Sequence, residues 1–240
     1  MNSVTALLYG SDRPGIVAKV AGWIHQRNSN VLHADQHLDR QENVFFQRVE
    51  WECSPTSDPR QEGLDFKQMA ESDLGMIVQI GYQNDCSKIG IMVSTADHCF
   101  HDLALRVRSG EWNAQICGVI SNHNDLRKTS ESYALPFHYF SVTSETKEEE
   151  EAKQLSLIKE EKFELLILAR YMQILSKGFL EGVGCPVINI HHSFLPSFAG
   201  AKPYHQAYTR GVKLIGATAH YVTEDLDEGP IIDGPIIGLV

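Results

Sequence analysis

Asn189 and His191 stand two residues apart at the end of an apolar run, Val187-Ile188-Asn189-Ile190-His191. Residues two apart on a strand point to one face. An asparagine NH₂ there can donate to a carbonyl oxygen as it becomes an oxyanion, a contact worth roughly 3 kcal/mol of barrier. An imidazole titrates near neutrality and can relay or donate a proton. A second stretch, Thr218-Ala219-His220-Tyr221-Val222-Thr223-Glu224-Asp225-Leu226-Asp227-Glu228-Gly229-Pro230, supplies carboxylates. Asp227 could orient or charge the imidazole, or receive a proton from water. Amide, imidazole and carboxylate at the ends of adjacent strands make an acyl-transfer site. Metal binding is the competing chemistry, because His191, His192, His205, His220 and Asp227 are all ligand types, but no H-E-x-x-H or comparable spacing is present.

A third stretch, Leu168-Ala169-Arg170-Tyr171-Met172-Gln173-Ile174-Leu175-Ser176, follows an apolar run. Met172, Ile174 and Leu175 could contact a flat heterocycle while the main chain hydrogen-bonds to it. The alternative is a plain strand-to-helix corner with Ser176 as N-cap.

These stretches must be held by a sheet. From Ile89 onward strands alternate with helices. Strands are expected at Ile89-Val93, Gln115-Ile120, Phe137-Tyr139, Leu165-Ala169, Val187-Ile190 and Ile215-Tyr221. Helices are expected near His98-Ser109, Asp125-Tyr133, Lys147-Lys162 and Ser176-Gly182. Such alternation implies a doubly wound, mostly parallel, Rossmann-like α/β sheet with its ligand at the carboxyl ends of the strands. The loop Ser94-Thr95-Ala96-Asp97-His98-Cys99 carries no glycine-rich pattern and is a poor phosphate cradle.

The first eighty-odd residues read differently. A strand (Val4-Tyr9), a turn (Gly10-Gly15), a helix to about Asn28, two antiparallel strands (Asn30-His37, Val44-Trp51), a helix from Leu64 to Ser72 and a strand at Met76-Ile80 give the order β-α-β-β-α-β. That is a ferredoxin-like α+β domain. Asp12 is a cap candidate, and Pro14 sits where a helix can start. The expected domains are therefore residues 1-84 and 85-240, joined at Asn84-Lys88.

Bulk properties exclude several classes. The net charge is −10, which argues against a nucleic-acid surface. The longest apolar runs fall far short of a membrane span, and Met1-Asn2-Ser3-Val4 lacks the features of a signal peptide. The five cysteines are scattered without a C-x-x-C pair, which fits a reduced, cytoplasmic setting.

Two resemblances now enter. Asp12-Arg13-Pro14-Gly15-Ile16-Val17 resembles the opening of an ACT domain, a module that often binds an amino acid at a dimer interface. The resemblance implies a homo-oligomer (dimer or tetramer), with Asp12, Arg13, Pro14, Gly15 and Ile16 near a glycine or methionine effector; assembly without a ligand is the alternative. Asn189-Ile190-His191, Ser193-Phe194-Leu195-Pro196 and His220 to Pro230 are similar to the signature of the folate-dependent formyltransferase fold. That resemblance implies catalysis by Asn189, His191 and Asp227, the last matched by the small residue and glycine that follow the family's aspartate. It implies substrate contacts at Arg170, Met172, Gln173, Ile174, Leu175, His220 and Thr223.

An N-terminal ACT-like unit, with His191-His192-Ser193-Phe194-Leu195-Pro196 and Gly200-Ala201-Lys202-Pro203-Tyr204-His205-Gln206-Ala207-Tyr208, is similar to the formyltetrahydrofolate deformylases. Glycinamide ribonucleotide transformylases have proline after the catalytic histidine and a phosphate loop after the first strand. The implied reaction is hydrolysis of 10-formyltetrahydrofolate to formate and tetrahydrofolate, supplying formate for purine synthesis and balancing one-carbon folate pools. Tetrahydrofolate is then the substrate carrier, with no tightly bound cofactor and no metal. A formyltransferase with an amine acceptor and a non-catalytic, amino-acid-responsive binding protein are the alternatives. Deformylases usually continue a few dozen residues beyond the Gly-Pro-Ile-Ile segment, so a shortened C-terminus is expected here.

Overall fold

The computed structural model of the chain describes residues 2–198, 200, 203–234 and 236–239. Ala201 and Lys202, part of the resemblance drawn from sequence, lie outside them, as do Pro235 and Val240. Two compact units emerge, Met1–Asp85 and Cys86–Val240.

The first unit comprises β1 (Ser3–Ser11), α1 (Ile16–Gln26), β2 (Asn30–Asp39), β3 (Val44–Glu52), α2 (Pro59–Leu74) and β4 (Ile77–Tyr82). Its antiparallel sheet has the order β2-β3-β1-β4. Val4, Ala6 and Leu8 alternate along β1 and are buried, as are Phe45, Val49 and Trp51 of β3. Helix α1 brings Ile16, Val20, Trp23 and Ile24, and α2 brings Phe66, Ala70 and Leu74, onto that face. The Phe66 ring lies 5.2 Å from Trp23 and 4.9 Å from Trp51, centroid to centroid. Below them the buried Glu62 carboxylate accepts Ser29 Oγ at 2.6 Å and Trp51 Nε1 at 2.8 Å.

Two expectations need correction. Asp12 does not cap α1: its N–H donates to Asn43 O at 3.1 Å, continuing the ladder, and the helix begins at Ile16 behind Gly15 at φ 91°. Pro14 therefore precedes the helix. Helix α2 starts at Pro59 rather than Leu64, because the Asp58 carboxylate accepts the Arg60 N–H at 3.1 Å and Pro59 suits the first turn.

The second unit contains β5 (Ser87–Val93), α3 (His98–Arg108), β6 (Ala114–Ser121), α4 (Arg127–Ser132), β7 (Phe137–Tyr139), α5 (Lys147–Glu161), β8 (Leu165–Leu168), α6 (Lys177–Gly182), β9 (Val187–His191), α7 (Pro203–Thr209), β10 (Leu214–Gly216), β11 (Thr218–Tyr221), β12 (Ile231–Asp233) and β13 (Ile236–Leu239). Its main sheet runs β12-β11-β9-β8-β5-β6-β7. The pairs among β5 to β9 are parallel; β11 is antiparallel to β9 and to β12. It is thus a mixed α/β sheet, mainly parallel.

A sheet covered on both faces needs apolar residues at consecutive positions. Ile91 and Val93 pack with Phe100 and Ala104 of α3, whereas Met92 packs with Ile158 and Phe179 on the other face. Gly90 lies against the Phe163 ring, where a Cβ would stand 2.2 Å from it. The expected strand Ile215–Tyr221 is in fact two. β10 leaves to pair with β13, and only β11 joins the main sheet. Helix α7 and strands β12 and β13 carry no pattern that the sequence reading recognised.

Candidate active site

Strand β9 ends on Asn189, Ile190 and His191, and β11 lies beside it with His220 opposite Asn189 and Thr218 opposite His191. Because β11 is antiparallel, the segment after Tyr221 begins level with Ile188, at the far end from His191. The carboxylate therefore comes from the loop after the adjacent strand, as the sequence suggested, but from the end opposite His191. The loop after Tyr221 turns back, closed by Tyr221 N–H to Pro230 O at 2.9 Å, and delivers Asp227 from there.

Gly229 makes this return feasible. A Cβ at that position would lie 1.7 Å from the Tyr221 carbonyl oxygen. Asp227 itself has φ 58°, a left-handed conformation uncommon outside glycine. Asp227 Oδ1 lies 3.4 Å from His191 Nδ1 and 3.7 Å from His220 Nε2, and Oδ2 accepts the Gly200 N–H at 2.8 Å. His191, His220 and Asp227 are all buried.

Hydrogen bonding orients both imidazoles. A carbonyl only accepts, so His220 Nδ1 donates to Tyr221 O at 2.9 Å. Its Nε2 lone pair then accepts Asn189 Nδ2 at 3.1 Å, which fixes the amide with its oxygen turned the other way. His191 Nε2 likewise donates to Phe198 O at 3.0 Å, and its Nδ1 faces a carboxylate. A neutral ring would set a lone pair against that negative charge; an imidazolium donates on both sides. Burial opposes the charged ring, but the Asp227 carboxylate and the Phe198 carbonyl outweigh it and raise the His191 pKa. Burial likewise favours a neutral Asp227, yet His191 and the Gly200 N–H prevail and lower its pKa.

The second wall is the segment after β8. Arg170 has φ 62°, and its Nε is buried without a hydrogen-bond partner among the described residues. Met172 and Ile174 are 61% and 58% exposed, so apolar side chains face open space rather than core. Ser176 caps α6 by accepting Phe179 N–H at 3.1 Å. The corner alternative and the pocket alternative thus both describe this segment.

Asn189, His191, Asp227, Arg170, Met172, Gln173, Ile174, Leu175, His220 and Thr223 all line one open pocket of about 240 Å³. Asp12, Arg13, Pro14, Gly15 and Ile16 belong to the other unit, where Arg13 Nη2 donates to Asp73 O at 2.6 Å. Among the described residues, no group of three or more His, Cys, Asp or Glu is arranged to hold a metal. No helix among them is long and apolar enough to cross a membrane.

Two further lining residues were not among the expected catalytic or substrate-binding residues. His192 packs at 5.4 Å, ring to ring, from both His191 and Tyr204. Burial first, then the charges of Arg170 and His191, lower its pKa to about 4, so it is neutral at pH 7. Gly200 anchors Asp227 across a separation of 27 residues, which no local pattern could reveal.

Known proteins resemble this chain in sequence and fold. The family model described as "Formyl transferase" matches residues 87–234. The formyltetrahydrofolate deformylase of Synechocystis sp. is 44% identical over 99% of this chain and 84% of that protein. That of Bacillus subtilis is 40% identical over 94% of this chain and 75% of its own. A crystal structure of a formyltetrahydrofolate deformylase from Pseudomonas syringae superposes with a TM-score of 0.90 at 39% identity, covering 100% of this chain and 80% of that one. A glycinamide ribonucleotide transformylase from Symbiobacterium toebii reaches 0.60 at 25% identity, covering 65% of this chain and 76% of its own. The likeness to the deformylases runs through both units, whereas the transformylase likeness covers only part of the chain, and so the chain belongs to the formyltetrahydrofolate deformylase family.

Proposed function

We infer that the protein hydrolyses 10-formyltetrahydrofolate to formate and tetrahydrofolate, with Asn189, His191 and Asp227 as the catalytic residues. The observation that carries this reading is the buried Asp227–His191 pair beside the Asn189 amide, all facing one pocket, in a chain of this family. Water attacks the formyl carbon and the C–O bond forms. Asn189 and the His191 imidazolium stabilise the oxyanion. Asp227 takes a proton from the attacking water, and with His191 returns one to the departing N10 as the C–N bond breaks. Formate and tetrahydrofolate leave. Arg170, Met172, Gln173, Ile174, Leu175, His220 and Thr223 hold the folate. Neutral His192 occupies the place where the transformylase pattern has proline, which supports water rather than an amine as acceptor.

The test is incubation with 10-formyltetrahydrofolate, measuring formate and tetrahydrofolate with and without amine acceptors. Formate release without an amine is expected; transfer to an amine with no free formate would refute the reading.

The N-terminal unit is further proposed as an ACT domain that joins copies of the chain. Its sheet order, with two helices on one face, supports the ferredoxin-like assignment. Strand β2 is an edge strand whose residues 30–38 are all exposed, Leu32 at 45% and Leu38 at 37%. A bare edge of that length is a template for pairing. Antiparallel pairing with a second copy about Gln36 sets His33 opposite Asp39 and Asp35 opposite His37, so the edge is complementary to itself. Light scattering should show a homodimer or tetramer that Asp35→Lys weakens; a monomer at micromolar concentration would refute this. Glycine or methionine is the proposed effector, held near Asp12–Ile16. Calorimetric titration tests it, and binding that survives loss of Asp12 would exclude that site. The five unpaired thiols support a reduced, cytoplasmic setting.

A further inference from the structure

Ser94 immediately follows β5, in the loop whose sequence cannot cradle a phosphate. It is 2% exposed, and Asn122, which follows β6, is 8% exposed. The Ser94 hydroxyl donates to Asn122 Oδ1 at 2.6 Å. With its lone pairs it accepts the backbone N–H of Met172 at 2.9 Å, across 78 residues of sequence. Neither side chain lines the pocket. Met172, by contrast, stands in the pocket wall with its side chain exposed, between Arg170 at φ 62° and Ile174.

The far end of the same segment is tied as well. The buried carboxylate of Glu151 on α5 accepts the Ser176 N–H at 3.0 Å and also the Ser176 hydroxyl. The stretch from Arg170 to Leu175 is thus suspended between two buried polar anchors, one beneath Met172 and one beneath Ser176. Between them Tyr171 and Leu175 pack into the core, whereas Met172 and Ile174 point into open space without core packing of their own. At Met172, whose own side chain is exposed, the wall keeps its shape through its main-chain tie to Ser94, because an exposed Met side chain does not hold a backbone in place. Preorganising that backbone spares the ordering cost when a ligand binds.

We propose that Ser94, fixed by Asn122, is a positioning residue for substrate: it holds the Met172 backbone so that the segment presents a preformed platform to the pterin-bearing part of the folate. The proposal rests on the deformylase reading for the identity of the ligand. It also gives a role to the short polar turn between β5 and α3, which is glycine-free from Ser94 to Asp97. Its hydroxyl serves the neighbouring strand rather than an anion. The platform holds the substrate and makes no contact with the formyl group, so its loss falls on binding and spares the chemical step.

Two measurements decide it, formate release at varied 10-formyltetrahydrofolate and equilibrium binding of tetrahydrofolate. Ser94→Ala should raise KM about tenfold and weaken tetrahydrofolate binding about tenfold, with kcat within about twofold, as expected for losing one hydrogen bond that orders a binding segment. Ser94→Thr, which keeps the hydroxyl, should restore both. Asn122→Ala should give the same split, and the double variant should be no worse than Ser94→Ala alone, because the two act as one unit. An unchanged KM and tetrahydrofolate affinity in Ser94→Ala would overturn the proposal. So would a fall in kcat with KM unchanged. Should the wild-type protein release no formate, the deformylase reading fails, and tetrahydrofolate binding still decides the role of Ser94.

Discussion

The His191 imidazole is gripped on both ring nitrogens, by Asp227 Oδ1 at 3.4 Å from Nδ1 and by the Phe198 carbonyl at 3.0 Å from Nε2. Two acceptors on one ring favour the imidazolium and raise the His191 pKa, and the ring faces the pocket beside the Asn189 amide. The nearby His192 is the opposite case. It is half-buried without a carboxylate of its own and is neutral at pH 7. Two adjacent histidines thus have their pKa values pushed in opposite directions, because one has an anionic partner.

Asp227→Asn retains the shape of the side chain and removes both its charge and its basicity. Formate release should fall by at least about 10³-fold, the scale seen when a carboxylate partner of a catalytic histidine becomes an amide. Tetrahydrofolate binding, measured by fluorescence quenching, should change little. A near-normal rate would show that Asp227 is not the proton acceptor.

The pH profile follows from the pair. The His191 pKa is raised above its ordinary 6.5, so the imidazolium, and the rate that depends on it, are lost as pH rises through that raised value. The Asp227 pKa is lowered below 3.8, so the carboxylate is lost as pH falls through the lowered value. The contribution of the pair to stability has the same limits: the His191 part disappears on the alkaline side and the Asp227 part on the acid side. kcat should therefore be bell-shaped between them. In Asp227→Asn, any residual activity should lose its alkaline limb at lower pH, since the charge that raised the His191 pKa is gone.

Gly229→Ala places a methyl group against the Tyr221 carbonyl, where a Cβ would stand 1.7 Å away. The loop must shift, and Asp227 moves with it. A displacement of about 1 Å costs on the order of 10²-fold in rate. Steady-state kinetics should show that loss in kcat with the cooperative unfolding transition of the protein retained.

Gly90→Ala tests the packing of the central strand. The added methyl meets the Phe163 ring, which is itself buried. Overpacking of this kind costs about 1–3 kcal/mol. Urea unfolding should show a lower midpoint, and Phe163→Leu in the same chain should recover part of it.

The sequence by itself determined the succession of strands and helices in the first unit and from β5 to β9 in the second, because those elements bury a regular apolar pattern. Val187 to His191 reads as a strand delivering polar groups because Asn189 and His191 interrupt an apolar run at strand spacing. Boundaries failed where a main-chain hydrogen bond decided them, as at Asp12, whose N–H goes to Asn43, and at Asp58, whose side chain starts α2 early. Tertiary structure alone decided the antiparallel run of β11, since pairing direction depends on which neighbour a short strand meets rather than on its own residues. It alone decided the route by which Asp227 reaches His191, the anchor of Asp227 on Gly200, and the tie from Ser94 to Met172. Those contacts join segments far apart in sequence, and local periodicity carries no information about which distant backbone N–H a side chain will meet. The pKa of His191 was undecided for the same reason: residue type offers an imidazole, and only the placement of Asp227 and the Phe198 carbonyl raises its pKa.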